Sequence, residues 1–266
     1  MAELVFIHGL NTYGDHDIHI GPLKFGPMHA RLERALAKRG IELVSLSGSP
    51  TATPSEQALQ LAEQIKERKL ANQFHLLGQS TGGLVARALA HHPNLQNRIA
   101  SVMTIGTPHR GAIAAEFGLA FNQRYPRLQK IFAACGYDTE RKLAIFRAFT
   151  PAAVSEFNQV LTQNGNISPK PLEVSFICQV ARQETSWPLL VLGSRLNPED
   201  APGDGFISSA SQRFGLTEGP FALDHFGELG FFPHLSRTAR IAATSEFERL
   251  LDAIANTVRR AAQKIV

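Results

Sequence analysis

Short apolar runs recur along the first hundred residues. Each is followed by a stretch whose apolar positions return every three or four residues. Leu4–Ile7, Ile41–Leu46, Phe74–Leu77 and Ile99–Ile105 have the length and β-rich composition of buried strands. Between them, Met28, Leu32, Ala35 and Leu36 mark the buried face of a helix near residues 26–39, which Gly40 stops. Thr53-Pro54-Ser55-Glu56 opens a second helix with a capping box and a proline at the first helical position. Ala58, Leu61, Ala62 and Ile65 carry its buried face to about Lys69. A third helix covers 81–92 and ends before Pro93. Strands alternating with helices at this spacing predict an α/β fold, with a mostly parallel sheet covered on both faces.

The rhythm breaks at Ala112. From there to about Gly165 the spacing is helical, with no strand, and Phe117, Phe121, Phe132, Phe146 and Phe149 enrich it in aromatics. Thr150-Pro151 starts a further helix to about Leu161. A helical insertion this rich in phenylalanine reads as a cap or lid, residues 112–165, over an apolar substrate site within one domain of residues 1–266. Leu172–Val180 resumes the sheet, and the segment Trp187–Leu192 is apolar without a clear period. Ser245-Glu246-Phe247-Glu248 reads as a capping box opening a C-terminal helix, whose face is Leu250, Leu251, Ile254, Val258 and Ala261.

Charge and cysteine content narrow the function classes. Lys and Arg number 27 against 23 Asp and Glu, and they are dispersed, so no nucleic-acid footprint is present. Cys135 and Cys178 make neither a C-x-x-C motif nor a metal-ligand spacing. His16, His19 and His29 fit no standard metal site and read as solvated or hydrogen-bonded side chains, so no cofactor and no metal are expected. The chain begins Met1-Ala2-Glu3 and enters a strand without a signal-peptide pattern. The expectation is a cytoplasmic protein as the chain stands, or a secreted one if a leader has been removed.

The chemistry concentrates at Gly78-Gln79-Ser80-Thr81-Gly82, between a strand and a helix. This is the G-x-S-x-G pattern of a nucleophile elbow, in its required strand–turn–helix context. Gly78 and Gly82 allow a turn tight enough to strain Ser80 and lift its hydroxyl above the sheet, toward the helix N-terminus. Upstream, His8-Gly9-Leu10 follows the first strand, where Gly9 lets backbone approach the reacting centre. The N–H groups of Leu10 and Thr81 are then the expected oxyanion donors. A serine nucleophile needs a base and an orienting acid, which follow it in the order Asp/Glu then His in this arrangement. Asp200, Asp204 and Asp224 are the candidate acids, and His225 and His234 the candidate bases. Asp204, in Gly203-Asp204-Gly205 after the resumed sheet, and His225, in a later loop, are assigned those roles, with His234 as the rival base.

Several stretches resemble the bacterial true lipases, the foldase-dependent triacylglycerol lipases. They are His8-Gly9-Leu10, Ser55–Ile65, Gly78–Gly83, Ser101–Gly111 with its Gly-Thr-Pro-His-Arg-Gly, Phe149–Asn158, and Asp204–Ala210. The resemblance implies an α/β-hydrolase fold and a serine carboxylic-ester hydrolase acting on acyl glycerols or other hydrophobic esters. It implies Asp204 as the catalytic acid and His225, rather than His234, as the base. A thioesterase, a polyester hydrolase, and a lipid deacylase or acyltransferase use the same three residues and remain open alternatives, and a non-catalytic binding protein would have no need of all three. Transient contact with a lipid surface through the cap is the expected interaction besides substrate. Three departures stand out. Gln79 and Thr81 replace the family's usual elbow residues, though only the backbone N–H of Thr81 is needed. Ala210 stands where the family has a disulfide cysteine, which fits a reducing compartment. Gly227 replaces an aspartate that binds the family's structural Ca²⁺, which argues against that site.

Overall fold

A computed structural model describes residues 1–9, 19–20, 23–24, 29–49, 52–68, 70–124, 139–163, 170–186, 189, 202–234 and 236–263. Six parallel strands form the main sheet: β1 (Ala2–Ile7), β4 (Ile41–Leu46), β5 (Phe74–Gln79), β6 (Ile99–Ile105), β7 (Leu172–Cys178) and β8 (Leu216–Phe221). Their spatial order is β4-β1-β5-β6-β7-β8. The short β2 (His19–Ile20) and β3 (Leu23–Lys24) pair antiparallel elsewhere. The chain steps from β1 outward to β4, then returns to the other side of β1 as β5. That reversal opens a crevice at the carboxyl ends of β1 and β5, where open α/β sheets bind ligands.

Alternation along the strands explains the layering. In β1, Leu4 and Phe6 face one side and Val5 and Ile7 the other, as the two-residue period of a strand requires. Leu4 and Phe6 join a core with Leu32 and Leu36 of α1 (Ala30–Ala37) and Phe247, Leu250, Leu251 and Ile254 of α7 (Arg237–Gln263). Val5 and Ile7 join the opposite core with Leu61 and Ile65 of α2 (Pro54–Glu67) and Val85 and Leu89 of α3 (Gly82–Ala90). The predicted capping box at α2 is formed: the Thr53 hydroxyl accepts from Glu56 N, and Glu56 Oε2 accepts from Thr53 N at 2.8 Å. Such a cap stabilises a helix by ~1 kcal/mol.

Between β6 and β7 the described residues are helical, as α4 (Ile113–Arg124), α5 (Thr139–Ala148) and α6 (Pro151–Gln163). A third core, with Ala112, Ala115, Phe149 and Val154 against Leu84 of α3 and Ile207, seats this insertion beside the elbow helix. The Gly-Thr-Pro-His-Arg-Gly stretch is its packing node. His109 Nε2 meets the Thr104 hydroxyl at 3.0 Å, its carbonyl accepts from Asn158 Nδ2 of α6 at 2.9 Å, and its ring stacks on Phe214 at 4.8 Å. Arg87 of α3 donates to Asn158 Oδ1 at 2.8 Å and lies 4.2 Å above the Phe214 ring, tying the same elements from the other side.

Three expectations are corrected. The C-terminal helix opens at Arg237, not at Ser245. The Ser236 hydroxyl accepts from Ala239 N at the true start, and Glu246 reaches instead to Ala222 N and Arg249. The helix expected near 26–39 is described only over Ala30–Ala37, with Met28 outside the described residues. Strand β8 was not anticipated, because Leu216-Thr217-Glu218-Gly219-Pro220-Phe221 is mostly exposed and carries a proline, which a sheet tolerates at an edge. Most of the 187–192 segment, Asp200, Cys135 and Phe132 lie outside the described residues. No described helix is long and apolar enough to cross a membrane.

Candidate active site

The elbow occupies the turn between β5 and α3. Ser80 has φ +54°, the one non-glycine residue with positive φ among the described residues. L-residues avoid this region because Cβ crowds the backbone, so the turn holds Ser80 in a costly conformation. The surrounding glycines make it possible. A Cβ on Gly78 would lie 2.4 Å from Gly83 Cα, and one on Gly82 would lie 2.2 Å from the Ile7 carbonyl oxygen. Ser80 N donates to the Ile105 carbonyl at 2.9 Å, which anchors the turn to the neighbouring strand β6. Gly9 comes so close that a Cβ there would sit 2.8 Å from Ser80 Cβ, so the loop after β1 does run beside the candidate nucleophile. Leu10, the first expected oxyanion donor, lies outside the described residues. Thr81, the second, is the N-cap residue of α3, where a backbone N–H has no acceptor within the helix.

Asp204 and His225 come together from loops 21 residues apart. Asp204 is fully buried in the turn that follows the short bridge at Gly203. Its Oδ1 accepts from the N–H groups of Phe206 (2.8 Å) and Ile207 (2.7 Å), which aims Oδ2 at His225 Nδ1, 3.0 Å away. His225 N donates to the Asp204 carbonyl at 2.9 Å, a second link between the loops. On the far edge of the ring, His225 Nε2 lies 3.4 Å from the side-chain amide nitrogen of Gln79, the residue beside Ser80. In the neutral ring, an amide N–H facing Nε2 makes that nitrogen the acceptor. Nδ1 then carries the proton and donates it to Asp204, the tautomer a base toward Ser80 needs.

The rival histidine sits elsewhere. His234 Nε2 contacts the Glu184 carbonyl oxygen at 2.9 Å and lies 3.9 Å from Asp224 Oδ2. Asp224 is occupied as a loop anchor, accepting from Ser186 N and Gly227 N at 2.8 Å each. His29 packs its ring against His8, 4.7 Å between centroids, and His8 Nε2 is hydrogen-bonded to the Ser45 hydroxyl. The placement of residue 16 and of the His19 side chain lies outside what is described.

Sequence reasoning missed Glu228. It lies three residues after His225 in a 3-10 turn, Gly227–Leu229, is fully buried, and places Oε2 3.3 Å from His225 Nδ1 and 2.8 Å from Gln79 Nε2. Atoms of Asp204, His225 and Glu228 lie within 4.8 Å of one another, a spacing a metal ion would also accept. The Asp204–His225 contact already pairs a carboxylate with a ring N–H in that cluster. Burial opposes charge on His225, but the adjacent carboxyl groups of Glu228 and Asp204 outweigh it and hold the imidazole well above its ordinary value. Burial, offset in part by His225, raises Glu228 to about 8. The signal for Glu228 was available as a carboxylate at i+3 from the histidine, one turn on and on the same face.

Buried histidines elsewhere make stability acid-sensitive. Burial, then the neighbouring His29, lowers His8 to about 3, and burial lowers His75 to about 4. Below the unfolded value near 6.5 the unfolded chain binds protons that the folded chain refuses. Their contribution is therefore complete above that pH and is lost as pH falls through 6.5 toward 3–4. Each is expected to remove about 2 kcal/mol by pH 5. His225, shifted upward, works in the opposite sense but is outnumbered. Urea midpoints at pH 7.5 and pH 5 check this: a midpoint that does not fall at pH 5 refutes it.

Two bacterial triacylglycerol lipases, from Pseudarthrobacter phenanthrenivorans and Burkholderia plantarii, are each 44% identical over 63 residues, 23% of this chain and 19% and 17% of theirs. Triacylglycerol lipase 2 of Saccharomyces cerevisiae is 27% identical over 213 residues, 73% of this chain and 59% of its own. The chain thus spans less than two thirds of the length of each of these curated relatives. Among solved structures, the mature Bacillus licheniformis lipase BlEst2 superposes with a TM-score of 0.66 at 18% identity, covering 94% of this chain and 91% of that one. The metagenomic carboxyl esterase MGS0156 superposes with a TM-score of 0.65 at 18% identity, covering 97% and 76%. Both likenesses establish the α/β-hydrolase fold. Since residues 3–155, more than half of the sequence, match the palmitoyl protein thioesterase family, the chain belongs to that lipase-type family of α/β-hydrolases.

Proposed function

We propose that this chain is a serine hydrolase of hydrophobic acyl esters or thioesters, with Ser80 as nucleophile, His225 as base and Asp204 as orienting acid. The observation that carries the reading is the pairing of a strained elbow serine at φ +54° with an Asp204–His225 contact of 3.0 Å beside the same turn. Ser80 Oγ attacks the acyl carbonyl carbon while His225 Nε2 takes its proton. The carbonyl oxygen gains the electron pair and is met by the Thr81 N–H group. Collapse breaks the bond to the leaving alcohol or thiol, which leaves with the proton from His225. Water, deprotonated by the same nitrogen, then attacks the acyl-enzyme and returns Ser80 with release of the acid. Asp204 keeps the ring in the right tautomer and stabilises the imidazolium.

Two observations bear on the substrate. The helical insertion α4–α6 packs against α3 through apolar side chains, and Ile113 at its start is exposed, as suits a cap over an acyl chain. Membership of the palmitoyl protein thioesterase family favours a long acyl chain and keeps thioesters beside esters as substrates. The test is covalent labelling by an alkyl fluorophosphonate, with hydrolysis of nitrophenyl esters from C2 to C16 and of a palmitoyl thioester. Stoichiometric labelling at Ser80 and a long-chain optimum are expected. The ratio of ester to thioester turnover assigns the leaving group. A folded protein that is neither labelled nor active on any of these substrates refutes the reading.

A further inference from the structure

Glu228 presents a cost that the three proposed catalytic residues do not explain. It is fully buried, and its Oε1 has no hydrogen-bond partner among the described residues. An apolar side chain of similar volume would fill the same space without the desolvation penalty. The fold nevertheless makes room for a carboxyl group. Gly106, at φ +53°, faces it, and a Cβ there would lie 2.1 Å from Glu228 Oε1. Oε2 is held by the buried amide of Gln79, the last residue of β5, at 2.8 Å, and lies 3.3 Å from His225 Nδ1. The same Gln79 amide nitrogen thus donates to Glu228 Oε2 and lies 3.4 Å from His225 Nε2.

We propose that Gln79 and Glu228 act together as positioning residues, clamping the His225 turn to the elbow strand so that the imidazole keeps its approach to Ser80. Asp204 alone holds the ring at one atom, about which it can swing. Gln79 belongs to the same strand end that fixes Ser80, so its contact with Glu228 ties the 3-10 turn just after the base to the nucleophile's backbone. A loop-borne base is otherwise free to drift by the ångström that costs orders of magnitude in rate.

The proposal rests on the hydrolase reading, so the test carries one readout that does not. The His225 ring titration is followed by NMR in a Ser80→Ala background, with and without Glu228→Gln. The groups facing the ring are Asp204 from its loop, Glu228 from its own turn, and the uncharged Gln79 and Phe206. Cys178 of β7 also lies against Glu228, and Asp224 lies near that thiol in turn. Glu228→Gln removes one carboxyl neighbour, so the midpoint is expected to move down by about one pH unit. In the active protein, Gln79→Leu and Glu228→Leu are each expected to lower kcat about 10-fold or more with KM little changed. The exchange Gln79→Glu with Glu228→Gln, which restores an amide–carboxyl pair, is expected to recover part of that loss. If the folded variants keep kcat and the NMR midpoint does not move, the clamp is refuted. A parent protein that escapes phosphonate labelling refutes the hydrolase reading instead, and the NMR titration still decides the clamp.

Discussion

Ser80→Ala is expected to lower kcat for ester hydrolysis by about 10⁴- to 10⁶-fold, with the protein fully folded. The loss is large because a nucleophile and its base act as a unit, and what remains comes from binding and oxyanion stabilisation alone. Stability provides a second, independent reading of the same residue. Ser80 holds φ +54° in a turn fixed by Gly78, Gly82 and the hydrogen bond to Ile105. Alanine keeps the Cβ and its strain; glycine removes both. Ser80→Gly is therefore expected to be more stable than Ser80→Ala by about 1 kcal/mol, although both are inactive. Urea midpoints and residual rates of the two variants check the pair. Full activity in Ser80→Ala would remove the nucleophile. Equal stability would mean the backbone stores no strain at this position.

What could be read in advance follows from where the physics is local. The elbow was legible because its glycines, its strand and its helix are contiguous, and the structure shows each glycine required by a close backbone approach. The α2 cap was legible for the same reason, since Thr53 and Glu56 satisfy one another within a turn. Strand β8 was not, because an edge strand next to β7 is stabilised by its neighbour's backbone and needs no apolar run of its own. At the C-terminal helix, Ser245 and Glu246 mimic a cap inside a helix that Ser236 begins, and only the partners of Glu246, Ala222 and Arg249, reveal the difference. Gln79 read as a departure that catalysis could ignore. Its contacts with Glu228 and His225 depend on two chain segments about 150 residues apart, a relation that no local pattern encodes.

The second large effect separates the two histidines. His225→Ala is expected to cost about as much as Ser80→Ala, since the two remove the same proton transfer. His234→Ala is expected to keep kcat within about 10-fold, because His234 contacts the Glu184 carbonyl and lies near Asp224, a carboxylate already engaged by Ser186 N and Gly227 N. Asp204→Asn supplies the decisive intermediate case. An asparagine keeps the Oδ1 contacts to Phe206 N and Ile207 N but presents either an amide N–H to His225 Nδ1 or a much weaker acceptor. With a donor opposite Nδ1, the imidazole proton moves to Nε2, the nitrogen proposed to take the Ser80 proton, which can then no longer accept. The expected fall in kcat is about 10⁴-fold with the geometry otherwise intact. Steady-state rates of the three variants on one nitrophenyl ester, each with its urea midpoint, check the assignment. A His234→Ala variant as dead as Ser80→Ala, beside an active His225→Ala, would transfer the base to His234 and make Asp224 its acid. Activity retained in Asp204→Asn alone would leave His225 as base and hand the orienting role to its other carboxyl neighbour, Glu228, 3.3 Å from the same nitrogen.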